Sequence, residues 1–281
     1  MRAVLVFCEG NHDVVFVSRS LGAVAGCKWS KERIRDLPSP LGPKVDPRDP
    51  NKFVFDSLIT KHYRAQKLED LQPRPAAHAP VPTFEAVVRD PSTLIYYVLI
   101  RCNGDGASGR SIKLIEDFRN TFPFHPDITQ IASAFVFDAD ADVSARAAAF
   151  TAAYARCLQP GAAMRHDDWM SGPLGPAGLY IFHDPATRAG TLEDSLAPLV
   201  EAQWKDRWDA AGRYLTAHAR PEDPVSLKLA ERHKAQINVT GQFLFPGDPM
   251  TMVLERDGLQ QRHFAGPTSQ SLVAFLRRAP F

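Results

Sequence analysis

The stretch AVLVFCEGNHD, residues 3–13, decides the fold class of this 281-residue chain. Its first five residues form a short apolar run, which is followed closely by Glu9 and Gly10. A short, continuous apolar run bounded by a turn signal is typical of a strand buried on both faces of a parallel sheet. We therefore predict a first strand at residues 3–7, with Glu9 at its carboxyl end.

A helix is expected to follow this strand. Apolar residues recur there at helical spacing, namely Val14, Val17, Leu21 and Val24. Asp13 is predicted to be the N-cap, because a short carboxylate accepts the free backbone N–H groups of a first turn. Gly26 is predicted to end the helix, since glycine readily takes the left-handed conformation found after helix C-termini.

Strand-like and helix-like segments alternate along much of the remaining chain. The predicted strands are 94–100, 131–137 and 178–182, with an edge strand at 250–255. The predicted helices are 111–122, 144–158, 191–219, 224–238 and 269–278, and Thr191 and Asp194 are spaced as a capping box. This alternation predicts a Rossmann-like α/β fold, in which a mainly parallel sheet carries helices on both faces.

Residues 28–92 interrupt the alternation. Two groups of prolines, at 38–50 and at 73–82, flank a segment at 53–71 that is predicted to be a helix or a strand followed by a helix. We interpret this region as an insertion with irregular ends. The chain, 1–281, is then a single α/β domain with the insertion at 28–92 and a helical elaboration at 191–281.

The composition excludes several classes of protein. Hydrophobic residues make up 44% of the chain and charged residues 23%, as in ordinary globular domains, and a net charge of +1 is unlike that of a polybasic protein. No apolar run approaches the roughly 18–20 residues that cross a membrane. The four cysteines form no CxxC pair, which favours buried free thiols. We expect a cytoplasmic protein without membrane association.

Acidic residues follow two of the predicted strands. Glu9 follows the first, and Asp138 and Asp140 follow the strand at 131–137 in the string FVFDADAD. Because the carboxyl ends of parallel strands lie at one edge of a sheet, these carboxylates are expected to converge. Clustered carboxylates repel one another unless a cation offsets their charge, and Mg²⁺ or Mn²⁺ suits such oxygen ligands. A simpler interpretation stays open, in which Asp140, Asp142 or Ser144 caps the following helix.

This pattern resembles the Toprim domain. The resemblance rests on a first strand that ends in Glu-Gly with an aspartate a few residues on, a later strand that ends in Asp-x-Asp, and the string Gly190-Thr191-Leu192-Glu193. It covers the core, roughly residues 1–26 and 93–200. It is closest to stand-alone Toprim-like proteins and to nucleases of the overcoming-lysogenization-defect type.

The resemblance implies a divalent-metal-dependent nuclease that hydrolyses phosphodiester bonds in DNA or RNA. It implies that Glu9 is a general acid/base or a metal ligand, and that Asp138 and Asp140 bind Mg²⁺ or Mn²⁺. The alternative within the family is a non-catalytic nucleic-acid-binding or regulatory protein. Relatives also suggest phage defence, and a partner protein or a homodimer is a possible assembly.

The nuclease branch of the family carries further acids and a lysine. The resemblance assigns these to Glu193 as a metal ligand, to Asp194 beside it, and to Lys234 as a catalytic residue. A structural interpretation is open for both acids, because carboxylates in a first helical turn complement the helix dipole without any catalytic role.

Two groups of basic residues in the insertion surround aromatic residues. The first group is Lys28, Lys31 and Arg33 around Trp29, and the second is Lys61 and Arg64 around Tyr63. Basic side chains neutralise phosphates and aromatic rings stack on unpaired bases, which favours nucleic-acid binding here. The alternative is a solvated face with a half-buried aromatic residue.

A dinucleotide-binding enzyme is the competing interpretation. Residues 104–109 (GDGASG) fit the GxGxxG pattern between a predicted strand and a predicted helix, and Asp138 could serve as the ribose-binding acid. However, Asp138 lies 29 residues after Gly109, whereas the usual gap from motif to acid is about 20 residues. An NAD(P) site is therefore the less favoured interpretation.

Two histidines lie beside these strings. His12 is interpreted as a surface residue at the start of the first helix, although it is close enough in sequence to Glu9 to contact a phosphate. His183 follows the strand at 178–182 and is a second-rank site candidate.

Overall fold

The structure is a computed structural model that describes residues 2–30, 44–46, 48–54, 83–104, 108–121, 130–247, 253–254 and 258–281. Its strands are β1 (Arg2–Cys8), β2 (Lys28–Ser30), β3 (Lys44–Asp46), β4 (Asp49–Val54), β5 (Thr83–Arg89), β6 (Ile95–Arg101), β7 (Gln130–Asp138), β8 (Asp168–Met170) and β9 (Ala177–Phe182). Its helices are α1 (Asn11–Ala25), α2 (Ser108–Thr121), α3 (Val143–Ala153), α4 (Leu192–Gln203), α5 (Lys205–His218), α6 (Pro224–Leu227), α7 (Leu229–Leu244) and α8 (Pro267–Arg277).

Seven of the strands form one sheet, in the order β2-β5-β6-β1-β7-β9-β8. The four central strands β6, β1, β7 and β9 run parallel, and antiparallel strands extend the sheet on both sides. Strand β1 therefore lies at the centre, with β6 and β7 as its neighbours. The predicted Rossmann-like α/β fold is confirmed.

Helices cover both faces of this sheet. The side chains of a strand alternate between its faces, so the central strand β1 packs against helices on both sides. On one face, Val4, Val6 and Cys8 of β1 pack with α1, α4 and α8. On the other face, Ala3, Leu5 and Phe7 pack with α2 and α3. All six side chains are fully buried, which explains why β1 reads as a continuous apolar run rather than an alternating one.

Helix α1 ends as predicted but begins differently. Gly26 follows it with φ of 66°, the left-handed conformation that glycine adopts without strain. The N-cap is Gly10, so the prediction that Asp13 caps the helix is wrong. Asp13 is the third helical residue, and its carboxylate accepts the backbone N–H of Gly10 at 2.7 Å. The carboxylate thus satisfies an N–H just outside the helix, in the manner of half a capping box.

The region 28–92 is part of the main sheet at both ends. Strand β2 pairs with β5, and β5 pairs with β6. The prediction of irregular ends is therefore wrong, since one end is the edge strand β2 and the other is β5, its neighbour inside the sheet. Strands β3 and β4 form a separate two-stranded sheet, and the predicted segment at 53–71 lies outside the described residues beyond Val54.

The C-terminal region differs from the prediction in three places. The predicted helix at 191–219 is two helices, α4 and α5, that are separated at Trp204. The predicted helix at 224–238 is also two helices, α6 and α7, separated at Lys228, and α7 continues to Leu244. Val253 and Leu254, the described residues of the predicted edge strand at 250–255, are helical and buried. A short apolar run fits a buried helix as well as a strand, which explains the last of these errors.

An ion pair between an exposed arginine and a buried carboxylate attaches the last helix to the sheet. Arg277 of α8 donates through Nε to Asp90 at 2.9 Å, and the Asp90 side chain is fully buried. Burial alone would raise the pKa of Asp90, but hydrogen bonds from Ser92, together with those from Arg277 and Thr93, outweigh burial and lower it to about 2. The folded state therefore holds Asp90 as a carboxylate at all ordinary pH values.

We expect Arg277→Met to destabilise the fold by about 3 kcal/mol, because it leaves a buried carboxylate without its cation. Urea unfolding at pH 7 measures this change. Arg278→Met is the matched control, since Arg278 is an exposed neighbour that pairs with Asp167 on the surface, and its loss is expected to cost about 1 kcal/mol or less. Equal effects of the two substitutions would contradict the importance of the arginine partner of the buried Asp90 carboxylate.

The described helices were also compared with the length and apolarity that a membrane span requires. Within these residues, no helix satisfies both requirements.

Candidate functional site

The acidic residues predicted from the sequence lie at the carboxyl edge of the parallel strands. Glu9 directly follows β1, and Asp138 is the last residue of the neighbouring strand β7. The backbone N–H of Asp138 faces the Glu9 carboxylate, with 3.4 Å between N and Oε2. The prediction that these two strand ends meet is confirmed.

A pocket of about 250 Å³ opens at this edge. Its walls come from the loop after β1, the start of α1, the end of β7, the start of α4 and the start of α7. The lining residues are Glu9, Gly10, His12, Asp13, Asp138, Asp140, Thr191, Glu193, Ala230, Glu231 and Lys234. All five catalytic and metal-binding residues predicted from the sequence therefore line one pocket.

Asp13 is a pocket residue that the sequence interpretation assigned to helix capping. Its side chain is buried, and burial raises its pKa to about 8. The negative charges of Glu193 and Glu9 add to this effect, whereas the hydrogen bond from the Gly10 N–H opposes it. The glutamate-glycine string with an aspartate four residues after the glutamate was the available signal, because the chain turns at Gly10 and Asp13 lies in the first turn of α1, close to Glu9.

Asp138 is subject to the same electrostatic repulsion. Burial raises its pKa well above the ordinary value, and the charges of Asp13, Glu193 and Glu9 raise it further. The backbone N–H of Leu192, at the start of α4, donates to Asp138 Oδ1 at 2.8 Å and partly offsets the effect. Four carboxylates thus share a space small enough for each to disfavour the ionisation of the others.

Among the buried acids of this group, Glu193 is the one that retains its negative charge. Burial would raise its pKa, but the hydrogen bond from His12 and the charge of Lys234 outweigh burial and lower it. His12 Nδ1 lies 3.4 Å from Glu193 Oε1. The interpretation of His12 as a surface residue is wrong, because its ring lines the pocket and contacts a buried acid.

Asp194 has a structural role next to this group. Its carboxylate accepts the N–H of Thr191 at 2.8 Å, as the predicted capping box requires, and lies 2.6 Å from His233 Nδ1. The second contact links the start of α4 to α7. Because Lys234 follows His233, this link holds the lysine-bearing wall of the pocket against the acids.

Asp140 occupies a tight turn beyond β7. Its φ is 54°, a left-handed conformation that aspartate tolerates better than most residues. Its backbone pairs in both directions with Gly190, with N···O distances of 2.9 and 2.8 Å. Its side chain is exposed on the pocket wall, whereas Asp142 caps α3 by accepting the Ala145 N–H at 2.8 Å. The capping interpretation is therefore confirmed for Asp142.

Arg146 is a second residue that the sequence interpretation missed. From α3, its guanidinium donates to Glu9 Oε2 at 2.7 Å and lies over the ring of Phe137 at 5.2 Å from the centroid. Its side chain is only 13% exposed. The two charged residues are 137 positions apart in the chain, and no local pattern indicates such a pair.

The oxygen atoms that line this pocket are of the kind that a hard divalent cation prefers as ligands. Carboxylate oxygens predominate, and a cation would offset the repulsion that raises the pKa values of Asp13 and Asp138. In the part of the chain that the structure describes, no three His, Cys, Asp or Glu side chains surround one point closely enough to hold a metal ion as they lie. Arg146 and His12 instead hold Glu9 and Glu193, so a cation at this site requires side-chain rearrangement.

The structure describes only some residues of the other sites that were predicted from the sequence. Lys28 and Trp29 lie in the edge strand β2, with side chains outside the described atoms, and Lys31, Arg33, Lys61 and Arg64 lie outside the described residues. His183 packs edge-on against His166, with 4.7 Å between ring centroids, and its Nδ1 is 2.8 Å from the Ile181 carbonyl oxygen. These contacts are those of a packed side chain.

The glycine string of the competing interpretation begins beside Glu9. Gly104 has φ of 103°, and its N–H donates to the Glu9 carbonyl oxygen at 3.2 Å. Residues 105–107 of the string lie outside the described residues. Asp138, the acid proposed for ribose binding, accepts the Leu192 N–H and faces other carboxylates.

Comparison with known proteins supports the fold alone. No protein-family model matches the chain, and no curated protein matches it. A solved structure of similar fold is that of the hypothetical protein PH0156 from Pyrococcus horikoshii OT3. It is 13% identical in sequence, with a TM-score of 0.51 over 99% of this chain and 95% of that one.

Proposed function

We propose that this protein is a Toprim-like, divalent-metal-dependent nuclease that hydrolyses phosphodiester bonds in DNA or RNA. One observation carries the proposal: four acids, one after β1, one ending β7 and one each in the first turns of α1 and α4, line a single pocket at the carboxyl edge of the parallel strands. Ligand sites of open α/β sheets lie at this edge. The order of the acids along the chain, with a Glu-Gly after the first strand and an Asp-x-Asp after a later one, supports the Toprim assignment.

In this proposal, Asp13, Asp138 and Glu9 hold Mg²⁺ or Mn²⁺, and Glu193 and Asp140 are further oxygen donors at the pocket wall. When bound, such an ion polarises a phosphoryl oxygen and lowers the pKa of an attacking water. Asp13 enters the ligand set because it is buried among the acids that were predicted from the sequence.

One cationic side chain and one imidazole give the pocket a means of holding a phosphate. Lys234 is exposed on the wall formed by α7, and His12 lies on the wall formed by α1. Lys234 neutralises phosphate charge as a point charge, and His12, held by Glu193, presents its other ring nitrogen for a hydrogen bond. These roles support the assignment of Lys234 as a catalytic residue that positions the reacting group.

We expect Glu9→Gln to abolish metal-dependent cleavage and to reduce metal-induced thermal stabilisation. The substitution preserves shape while it removes the charge that attracts the cation. The measurement is cleavage of single- and double-stranded DNA and RNA with Mg²⁺, Mn²⁺ or EDTA, combined with thermal unfolding under the same conditions.

Glu116→Gln is the matched control, because Glu116 pairs with the exposed Arg156 away from the pocket. Cleavage by Glu9→Gln at the wild-type rate would show that the acidic pocket is not the catalytic site. Loss of cleavage in both variants would point to a general effect of charge.

A non-catalytic nucleic-acid-binding or regulatory protein is the second candidate. The contact between Arg146 and Glu9 favours it, because this ion pair already neutralises one acid that a nuclease would use for metal. Nucleic-acid binding that is equally tight with Mg²⁺ and with EDTA, in the absence of any cleavage, would identify this function.

The proposal includes a cytoplasmic location and no membrane partner. All four cysteines are free and buried, which suits a reducing compartment. The proposed partner is nucleic acid, and a homodimer or a partner protein remains part of the proposal as the family resemblance suggests it.

A further inference from the structure

We propose that Arg146 is a resident counter-ion of Glu9 that a divalent cation must displace, so that this arginine sets the affinity of the pocket for metal. The inference rests on the proposed function, because it takes the acidic pocket to be a metal site. It concerns a residue to which neither the sequence patterns nor the family resemblance gives a role.

The Arg146 side chain is held in place by specific contacts and is mostly buried. Its guanidinium donates to Glu9 Oε2 at 2.7 Å, and Phe137 supports it from below at 5.2 Å. The Arg146 side chain is 13% exposed and that of Glu9 is 26% exposed, so water screens the pair only in part. Helix α3, which carries Arg146, is fixed by the cap from Asp142.

The arginine neutralises one acid of a strongly repelling group. Glu9 contributes to the raised pKa values of both Asp13 and Asp138, so its charge acts throughout the pocket. His12 has a corresponding position at Glu193. The protein therefore uses its own hydrogen-bond donors, one of them the Arg146 cation, where a divalent ion would otherwise offset the repulsion.

A guanidinium and a metal ion cannot both sit close to the same carboxylate oxygen without repelling each other. An Mg²⁺ ligand oxygen lies about 2.0–2.1 Å from the ion, and Glu9 Oε2 lies 2.7 Å from the arginine nitrogen. Metal binding through this oxygen therefore weakens or breaks the ion pair. This cost lowers the metal affinity, and removal of the arginine charge should raise that affinity.

The test compares the affinity of metal-stripped protein for Mn²⁺ by isothermal titration calorimetry. We expect Arg146→Met to bind Mn²⁺ about tenfold more tightly than wild type, because a nearby positive charge is lost from a partly buried site. Arg146→Lys, which keeps the charge, should stay within roughly threefold of wild type on the same reasoning. Arg156→Met is the control for loss of one exposed positive charge, and it should leave the affinity unchanged.

Affinity that is unchanged or weaker in Arg146→Met overturns the inference, since the arginine would then be irrelevant to the cation or would assist it. If wild type and all variants fold but bind no Mn²⁺, the proposed metal site fails instead. Binding by wild type that Glu9→Gln abolishes, with no change in Arg146→Met, leaves the proposed function standing and removes only the role of Arg146.

A second measurement needs no destabilising variant. The Nε–H resonance of Arg146, assigned in wild-type protein by its absence in Arg146→Lys, should shift or broaden as Mg²⁺ is added, because the guanidinium loses its carboxylate. A resonance that stays fixed while Mg²⁺ saturates the protein overturns the displacement.

Discussion

Asp138→Asn is expected to abolish cleavage while it stabilises the metal-free protein. Asp138 ends β7 at the centre of the acidic pocket, and its activity loss should be roughly 100-fold or more, because even residues that only support metal ligands contribute 10–100-fold. Burial raises the pKa of the same carboxylate, and repulsion from Asp13, Glu193 and Glu9 raises it further. Asparagine removes this repulsion and can still accept the Leu192 N–H through its amide oxygen.

Denaturant unfolding in EDTA should therefore show Asp138→Asn to be more stable than wild type, because the amide needs neither a proton nor a counter-charge when buried. Asp117→Asn is the control, since Asp117 pairs with Lys113 on the surface of α2 and its loss should change stability by about 0.5 kcal/mol or less. A variant that loses both activity and stability would indicate that Asp138 is a structural acid.

The stability of the metal-free protein is expected to fall as the pH rises from 6.5 to 8. Burial raises the pKa of Asp13 from 3.8 to about 8. Between these values the folded state binds a proton that the unfolded state has released, so a rise in pH favours unfolding. The slope should be on the order of 1 kcal/mol per pH unit. Asp138, whose pKa is also raised, acts in the same sense.

The pH range starts at 6.5 because below this value a histidine makes the opposite contribution to the pH dependence of stability. Burial lowers the pKa of His166 from 6.5 to about 4, so in that range a rise in pH favours the folded state. Asp13→Asn should largely remove the slope above pH 6.5, because it also relieves Asp138, whereas Asp117→Asn should keep it. Urea unfolding in EDTA at several pH values measures both. A wild-type protein whose stability does not change over this range would contradict the electrostatic account of the pocket.

Much of the fold was predictable because the central strands have a strong local signal. The runs that became β1, β6, β7 and β9 are apolar on both faces, since helices cover both faces of the sheet. The carboxyl ends of such strands meet at one edge, so the meeting of Glu9 and Asp138 followed from topology alone. The antiparallel strands β2 and β5 were not predicted, because they lie in a proline-rich region and are short or only partly apolar.

The site was less predictable where its parts depend on distant contacts. Arg146 and His12 each meet an acid that is far away in sequence, and only the packing of α3 and α4 against the sheet edge brings them together. Asp13 was visible in the sequence, but its position suits a helix cap as well as a site, and burial decides between them. The predicted acids Asp138, Glu193 and Glu9 share a pocket because each begins or ends a regular element.

The wall of the pocket that carries Lys234 comes from α7, about 90 residues beyond the last residue of β7, and the Asp194–His233 contact holds it in place. The acids and this wall thus belong to separate parts of the gene. Mutations in the C-terminal helices can reshape what enters the pocket while the acids stay intact. Divergence among related proteins should accordingly concentrate in this wall, and chimaeras that exchange it should inherit the selectivity of the donor.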